Sequence, residues 1–148
     1  MIGIIYKNGV ISDIAGSLTK KGYENQNIEE KSNYLYAYHT ANGSCSNAMF
    51  YFNNSIDMTG FNELVINWKM NRDRGENGSC VFGVKTSTPT FPDTTRDSET
   101  IKNFNAYVIE NTGNNVTEQV VNIKDINQGY VSIFCYDITG YIYSIYMR

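Results

Sequence analysis

The sequence predicts an all-β, antiparallel fold in a single domain. Two observations favour it: apolar and polar residues alternate with a period of two in several short runs, and no helical period persists. The composition agrees, because 12 Tyr, 7 Phe and 12 Gly accompany only 2 Pro, which is typical of strands joined by glycine turns. With 148 residues the chain is long enough for one ordinary core, so one domain is expected over residues 1–148.

Short strands and turns are predicted for the N-terminal region. Residues 2–6 form an apolar run, and Lys7-Asn8-Gly9 ends it with a turn signal, so the chain is expected to open with a strand. The stretch from 20 to 33 is polar and is interpreted as a loop with one short strand at most.

The run Y-L-Y-A-Y, which begins at Tyr34, is the most informative local pattern. Alternation places Tyr34, Tyr36 and Tyr38 on one face and Leu35 and Ala37 on the other. If the latter two face the core, the tyrosines form a row with a spacing of about 7 Å, which suits stacking against successive sugar rings or an aromatic partner. Alternatively, the tyrosines point inward, with their hydroxyls at the rim of the core.

Residues 55–70 are predicted to form a turn and then a central strand. Thr59-Gly60 is turn chemistry, since glycine supplies a positive φ. The apolar face of the run consists of Leu64, Ile66, Trp68 and Met70, and the other face consists of Glu63, Val65, Asn67 and Lys69. Trp68 is the only tryptophan, and core packing is expected for it rather than ligand contact.

Strands and two long connections are predicted for the C-terminal half. The expected strands cover residues 80–84, 105–110, 117–123, 130–136 and 141–147. The connection from 71 to 78 is charged and carries Arg74, and the irregular segment from 86 to 102 carries Phe91 and Arg96. Long loops in compact domains are often functional or mobile, so these three side chains are candidates for the rim of a binding site.

Charge and hydropathy exclude several classes of function. A net charge of −3 offers no basic stripe for a nucleic acid. No run is long enough to span a membrane and the N-terminus lacks a signal-peptide pattern, so a protein made in the cytoplasm is expected. Cys45, Cys80 and Cys135 lack paired spacing, and reduced, buried thiols are predicted for them.

Catalytic and metal-binding patterns are weak. His39 is the only histidine, and no nucleophile motif accompanies it. No zinc or EF-hand spacing occurs, so no metal and no cofactor are predicted. The one catalytic arrangement that the sequence leaves open is a pair of carboxylates for glycoside hydrolysis. The candidates lie in predicted loops: Asp73, Glu76, Asp97 and Glu99. The prediction is a protein without catalytic residues.

Three stretches resemble one family of proteins. Residues 56–69, I-D-M-T-G-F-N-E-L-V-I-N-W-K, resemble the I-D-L-T-G-Y/F-x-x-L-x-x-D-W-K stretch of carbohydrate-binding-module-like jelly rolls, whose relatives recur in phage and prophage tail or minor structural proteins of low-GC Gram-positive bacteria. Residues 5–17 are similar to the family's opening, departing at Ala15 and at Ser17. Residues 121–147 are similar to its ending, with Asn122 in place of an aspartate.

The resemblance implies a two-sheet antiparallel jelly-roll sandwich of roughly eight strands. It also implies a binding module of a phage tail-associated protein, carried on the virion, that recognises a bacterial cell-surface saccharide. The candidate contacts are Tyr34, Tyr36 and Tyr38, completed by Arg74, Phe91 and Arg96. The alternative is a structural subunit whose exposed aromatic residues contact other phage structural proteins or further copies of itself as a homo-oligomer.

Overall fold

The computed structural model is all-β and describes residues 1–22, 26–39, 47–72, 79–90, 104–110, 113 and 115–148. Its strands are β1 Gly3–Lys7, β2 Val10–Ile11, β3 Leu18–Gly22, β4 Gln26–Glu30, β5 Leu35–His39, β6 Asn47–Phe52, β7 Ile56–Asp57, β8 Glu63–Arg72, β9 Ser79–Lys85, β10 Ala106–Ile109, β11 Thr117–Asn122, β12 Gln128–Tyr136 and β13 Ile138–Met147. In these ranges, no helix is long and apolar enough to cross a membrane.

Two antiparallel sheets form a sandwich. Sheet A has the order β11-β8-β13-β1-β2, and β5, followed by β4, pairs with the N-terminal half of β13. Sheet B has the order β10-β9-β12-β6-β3, with β7 beside β12. The predicted two-sheet antiparallel sandwich is therefore confirmed. The strands outnumber the expected eight partly because β2 and β7 are only two residues long.

The core lies between the inner faces of the two sheets. Leu64, Ile66, Trp68 and Met70 of β8 are fully buried there, as predicted. The Trp68 ring meets Phe82 of sheet B edge-on, with centroids 6.0 Å apart, and its Nε1–H donates to Gln119 Oε1 at 2.8 Å. An aromatic ring of this kind buries about 150–250 Å², which contributes about 4–6 kcal/mol at about 25 cal/mol per Å². Trp68 is thus a core residue with a satisfied N–H.

The prediction of a loop with at most one short strand over residues 20–33 is only partly right, because this stretch holds both the end of β3 and all of β4. The cause is the buried side chain of Gln26. Its Nε2 donates to the carbonyl oxygens of Ile138 at 2.9 Å and Tyr38 at 3.1 Å, and its Oε1 accepts from the Ile138 N–H at 2.9 Å. The Gln26 side chain therefore makes hydrogen bonds that backbone groups usually make. These bonds stabilise β4 as a strand although its sequence is polar.

Two backbone features position the outer surface of sheet A. Asn8 and Gly9 have φ values of 47° and 91°, as a two-residue type I′ hairpin turn between β1 and β2 requires. In β13 the register shifts between Ile142 and Ser144, so Tyr143 is the extra residue of a β-bulge. Because of this bulge, Ile142 and Ile145 both face the core although they are three residues apart.

Cys80 and Cys135 are buried free thiols, as predicted. They lie opposite each other on β9 and β12, with their sulfur atoms 3.0 Å apart. Burial, and then the contact with Cys135, raises the pKa of the Cys80 thiol well above its ordinary value. Cys45 lies outside the described residues.

Candidate functional site

The predicted tyrosine row lies on the outer face of sheet A. Leu35 and Ala37 are fully buried and face the core, while Tyr34, Tyr36 and Tyr38 are half-buried on the opposite side. The alternative orientation, with the tyrosines inside the core, is therefore wrong. A role for the three rings in ligand binding stays a prediction.

β13 adds two tyrosines to the row. Tyr141 lies opposite Tyr36 in the register of β5 and β13, and their rings stack with centroids 5.3 Å apart. Tyr38 stacks on Tyr36 at 5.3 Å, and Tyr143 stacks on Tyr141 at 6.3 Å. Tyr34 approaches Tyr141 edge-on, with centroids 5.0 Å apart. We call these five residues, Tyr34, Tyr36, Tyr38, Tyr141 and Tyr143, the tyrosine ladder.

This geometry changes what the row can offer to a ligand. The Tyr36 ring stacks with both Tyr38 and Tyr141, with centroids 5.3 Å away in each case, so Tyr36 is not the open platform that the sequence suggested. All five ladder residues are half-buried, so part of each side chain remains in contact with solvent.

The hydroxyls of the ladder differ in their partners. The Tyr38 hydroxyl donates to Glu29 Oε1 at 2.9 Å, and this bond to a carboxylate raises the pKa of Tyr38. Among the described residues, the hydroxyls of Tyr34, Tyr141 and Tyr143 make no hydrogen bond. Burial raises the pKa of Tyr143, so its hydroxyl keeps its proton at neutral pH. Three phenols thus remain available as donors and acceptors.

A salt bridge borders the ladder on β4. Lys31 Nζ lies 2.6 Å from Glu29 Oε2 and 6.0 Å from the centre of the Tyr36 ring. The hydrogen bonds from Lys31 and then from Tyr38 lower the pKa of Glu29, and Glu29 in turn raises the pKa of Lys31. Glu29 is therefore ionised at neutral pH, and its charge is already matched.

An apolar groove continues the same face beyond the bulge in β13. It measures about 270 Å³ and is lined by Ile2, Ile4, Tyr6, Lys7, Ser144 and Tyr146. The pairing of β1 with β13 sets Ile4 opposite Tyr146 and Lys7 opposite Ser144. The ladder and the groove therefore adjoin each other along β13.

Sequence reasoning missed Tyr141 and Tyr143. The available signal was the run Y-I-Y, which repeats the alternation of Y-L-Y-A-Y, but nothing local shows that the two runs become neighbours. The other predicted rim residues, Arg74, Phe91 and Arg96, lie outside the described residues. So do Asp73, Glu76, Asp97 and Glu99, the carboxylates considered for hydrolysis.

The described residues contain one carboxyl group with a strongly raised pKa, but it lies away from the ladder. Burial raises the pKa of Glu110 to about 8, while a hydrogen bond from the Met70 N–H opposes the shift. Glu110 follows β10, and its own N–H donates to the Cys80 carbonyl oxygen. In the same described part of the chain, no cluster of three or more His, Cys, Asp or Glu side chains could hold a metal ion.

Comparison with known proteins relates the fold to carbohydrate-binding modules. No family model and no curated protein matches the chain. Among solved structures, a family 29 carbohydrate-binding module from Piromyces equi matches with a TM-score of 0.58 and 15% identity over 99% of this chain and 89% of the module. A second family 29 module, in complex with mannohexaose, matches with a TM-score of 0.59, 10% identity, 99% of this chain and 90% of the module.

A lectin-like domain shares the fold as well. The carbohydrate recognition domain of Emp46p matches with a TM-score of 0.57 and 6% identity, over 97% of this chain and 94% of that domain. At these identities the likeness concerns the fold, a β-sandwich shared with carbohydrate-binding modules. Whether this chain binds saccharides must therefore be argued from its own surface.

Proposed function

We propose that this protein is a non-catalytic glycan-binding domain whose contact surface is the tyrosine ladder. The observation that carries the proposal is the ladder itself: five tyrosines from two regions of the chain gather outside the core. Clustered aromatic residues on an outer surface are typical of interaction sites. The fold is also similar to those of carbohydrate-binding modules and of a lectin-like domain, which supports a glycan-binding role.

The ladder offers both kinds of contact that a saccharide needs. The C–H faces of a sugar ring pack on aromatic carbon, which the half-exposed rings of Tyr38 and Tyr143 offer. Sugar hydroxyls need hydrogen-bond partners, and the phenols of Tyr34, Tyr141 and Tyr143 supply them. An oligosaccharide lying across the stacked edges would contact several hydroxyls at once.

The finer assignment concerns the biological setting. We propose that the ligand is a bacterial cell-surface glycan and that the domain belongs to a phage or prophage tail-associated protein carried on the virion. The support is the resemblance of residues 56–69 to the jelly-roll domains of such proteins. The absence of a catalytic role is likewise a proposal, supported by the fold's likeness to binding modules.

Isothermal titration calorimetry with a panel of neutral and acidic bacterial cell-wall oligosaccharides tests the proposal. We expect at least one member to bind, and we expect Tyr141→Ala and Tyr38→Ala each to weaken that binding about tenfold, or about 1.4 kcal/mol. Tyr130→Ala is the matched control, because Tyr130 is a half-buried tyrosine on the outer face of sheet B. Tryptophan fluorescence is unsuitable as a binding signal, since Trp68 is buried in the core.

Two results would overturn the proposal. One is the absence of binding to every member of the panel by a sample that NMR shows to be folded. The other is a loss of binding in Tyr130→Ala with none in the ladder variants, which would move the site to sheet B.

A structural or assembly role is the second candidate, and one observation favours it. Ile2, Ile4 and Val10 are 62%, 43% and 67% exposed around the N-terminal strands. Such a surface suits contact with another protein or a second copy of this chain. Sedimentation velocity tests it: dimers at micromolar concentration that Ile4→Lys dissolves would support assembly, and a monomer at all concentrations would reject self-association.

A further inference from the structure

We infer that the saccharide is anionic and that its acid group lies over β13 between Lys7 and Lys69. This inference rests on the proposed function, and it names the chemical class of the ligand. The acid is a carboxylate, as in a uronic acid, or a phosphate, since both are oxyanions that a lysine ammonium binds.

The strand register places the two lysines on either side of β13. Lys69 of β8 lies opposite Tyr141, whose other neighbour across the sheet is Tyr36. Lys7 of β1 lies opposite Ser144, just beyond the bulge. The ladder tyrosines of β13, Tyr141 and Tyr143, therefore lie between two cations that come from different neighbouring strands.

The carboxylates on the described part of this face already have partners. Glu29 is held by Lys31 at 2.6 Å and by the Tyr38 hydroxyl at 2.9 Å. Beside the groove, Glu118 accepts a 3.0 Å hydrogen bond from the Tyr146 hydroxyl and lies 3.4 Å from Arg148, which also lies 2.6 Å from Glu63.

Lys7 and Lys69 differ from the other cations of this face. Neither forms an ion pair with any residue that the structure describes. Within the part of the chain that the structure describes, the positive charge beside Tyr141 and Ser144 is therefore unmatched. In a chain whose net charge is −3, this local excess favours an anionic ligand.

The groove has the composition expected for one acidic sugar unit. Its walls are apolar at Ile2, Ile4 and Tyr146, while Lys7 and Ser144 provide the polar groups. The volume, about 270 Å³, falls below the range of about 300–1,000 Å³ for drug-sized ligands, so a single unit fits better than a longer chain. The apolar walls would pack against the C–H face of that unit, and Lys7 would bind its acid.

A matched set of ligands tests the inference. Calorimetric titrations use a tetragalacturonate, its neutral counterpart with each carboxylate reduced to an alcohol, and a glycerol-phosphate oligomer, alongside the cell-wall panel described above. At 50 mM NaCl, we expect an acidic ligand to bind at least tenfold more tightly than the neutral ligand. At 500 mM NaCl the preference should fall severalfold, because salt screens exposed charges. Tight binding of the uronate or of the phosphate ligand identifies which oxyanion is recognised.

The double variant Lys7→Gln/Lys69→Gln tests where the preference originates. It should lose the preference and bind acidic and neutral ligands with similar affinities. Lys124→Gln is the control, because Lys124 is an exposed lysine in the turn between β11 and β12, and it should keep the full preference. Lys7 is exposed and Lys69 is half-buried, and thermal unfolding checks that each variant is folded.

The outcomes separate this inference from the proposed function. Equal binding of acidic and neutral ligands by the wild type overturns the inference and leaves glycan binding intact. If the double variant still prefers acidic ligands, the acid group does not lie between Lys7 and Lys69. The absence of binding to every ligand and every panel member overturns both proposals.

Discussion

The outer faces of the two sheets carry similar residues in different surroundings. On sheet A the ladder tyrosines are half-buried and three of their hydroxyls are unpaired within the described chain. On sheet B, Met49 and Phe134 also point away from the main core, yet they are at most 1% exposed and form a second cluster with Tyr136. Ser132, next to them, is fully buried, and its Oγ has no hydrogen-bond partner in the described structure.

This difference indicates a division of roles. Apolar groups that are removed from water stabilise the fold, whichever face of the sheet they occupy. Aromatic groups that keep contact with water contribute less to stability and remain available to a ligand. Sheet B is therefore expected to contribute stability from both of its faces, whereas sheet A contributes stability from its inner face and recognition from its outer face.

The largest expected effect compares one ring from each outer face. Phe134→Ala should lower the free energy of unfolding by about 3–5 kcal/mol, because the ring is fully buried. Tyr141→Ala should lower it by about 1 kcal/mol, because the ring is half-exposed and loses mainly its stacking. Urea denaturation followed by Trp68 fluorescence measures both, and equal losses would contradict the division of roles.

The second prediction compares a carboxyl group from each sheet. The pKa of Glu110, after β10, is raised to about 8 in the folded state, so the unfolded chain releases this proton first. The protonated Glu110 carboxyl group therefore makes its full contribution to stability at low pH. The free energy of unfolding falls as the pH rises from the ordinary glutamate pKa of 4.5 toward 8, by up to about 1.4 kcal/mol per pH unit. Glu110→Gln should flatten this slope and stabilise the protein at pH 8.

Glu29 on sheet A provides the control for this pH dependence. Its pKa is lowered by Lys31 and Tyr38, so it stays ionised throughout that pH window. Glu29→Gln should therefore leave the slope between pH 5 and pH 8 unchanged. A wild-type stability that rises over this window would contradict the assignment to Glu110.

The third prediction tests whether the ladder acts as one stacked unit. A double-mutant cycle of Tyr36→Ala and Tyr141→Ala should give a coupling energy of about 0.5–1.5 kcal/mol, because the rings stack at 5.3 Å. The single and double variants are compared by urea denaturation. Purely additive effects would show that the two rings do not stack in solution.

The smallest effect concerns two serines, one on each outer face. Ser132→Ala should leave stability unchanged or raise it by up to about 1 kcal/mol, because a buried hydroxyl without a partner is removed. Ser144→Ala should lower stability by about 0.5–1 kcal/mol, because Ser144 Oγ accepts a 2.9 Å hydrogen bond from Asn67 Nδ2. Thermal unfolding of both variants checks the opposite signs.

Several parts of the fold were predictable because their signals are local. The alternation of β8 correctly placed Trp68 and its neighbours in the core, and Asn8-Gly9 correctly indicated the first turn. The position of β4 within its polar stretch could not be predicted, because the strand depends on hydrogen bonds between Gln26 and Ile138, a residue distant in the chain. A binding role for the outer tyrosines was inferable only as a hypothesis, because alternation allowed either orientation.

By itself, the sequence determined the β class, the main turns and the sharing of faces among Tyr34, Tyr36 and Tyr38, since these follow from the backbone geometry of neighbouring residues. Tertiary structure alone decided that this face points outward, that β5 pairs with β13, and that the bulge at Tyr143 completes the ladder. The physical reason is that pairing between strands far apart in the chain is chosen by burial of the whole inner surface. No local pattern contains that information.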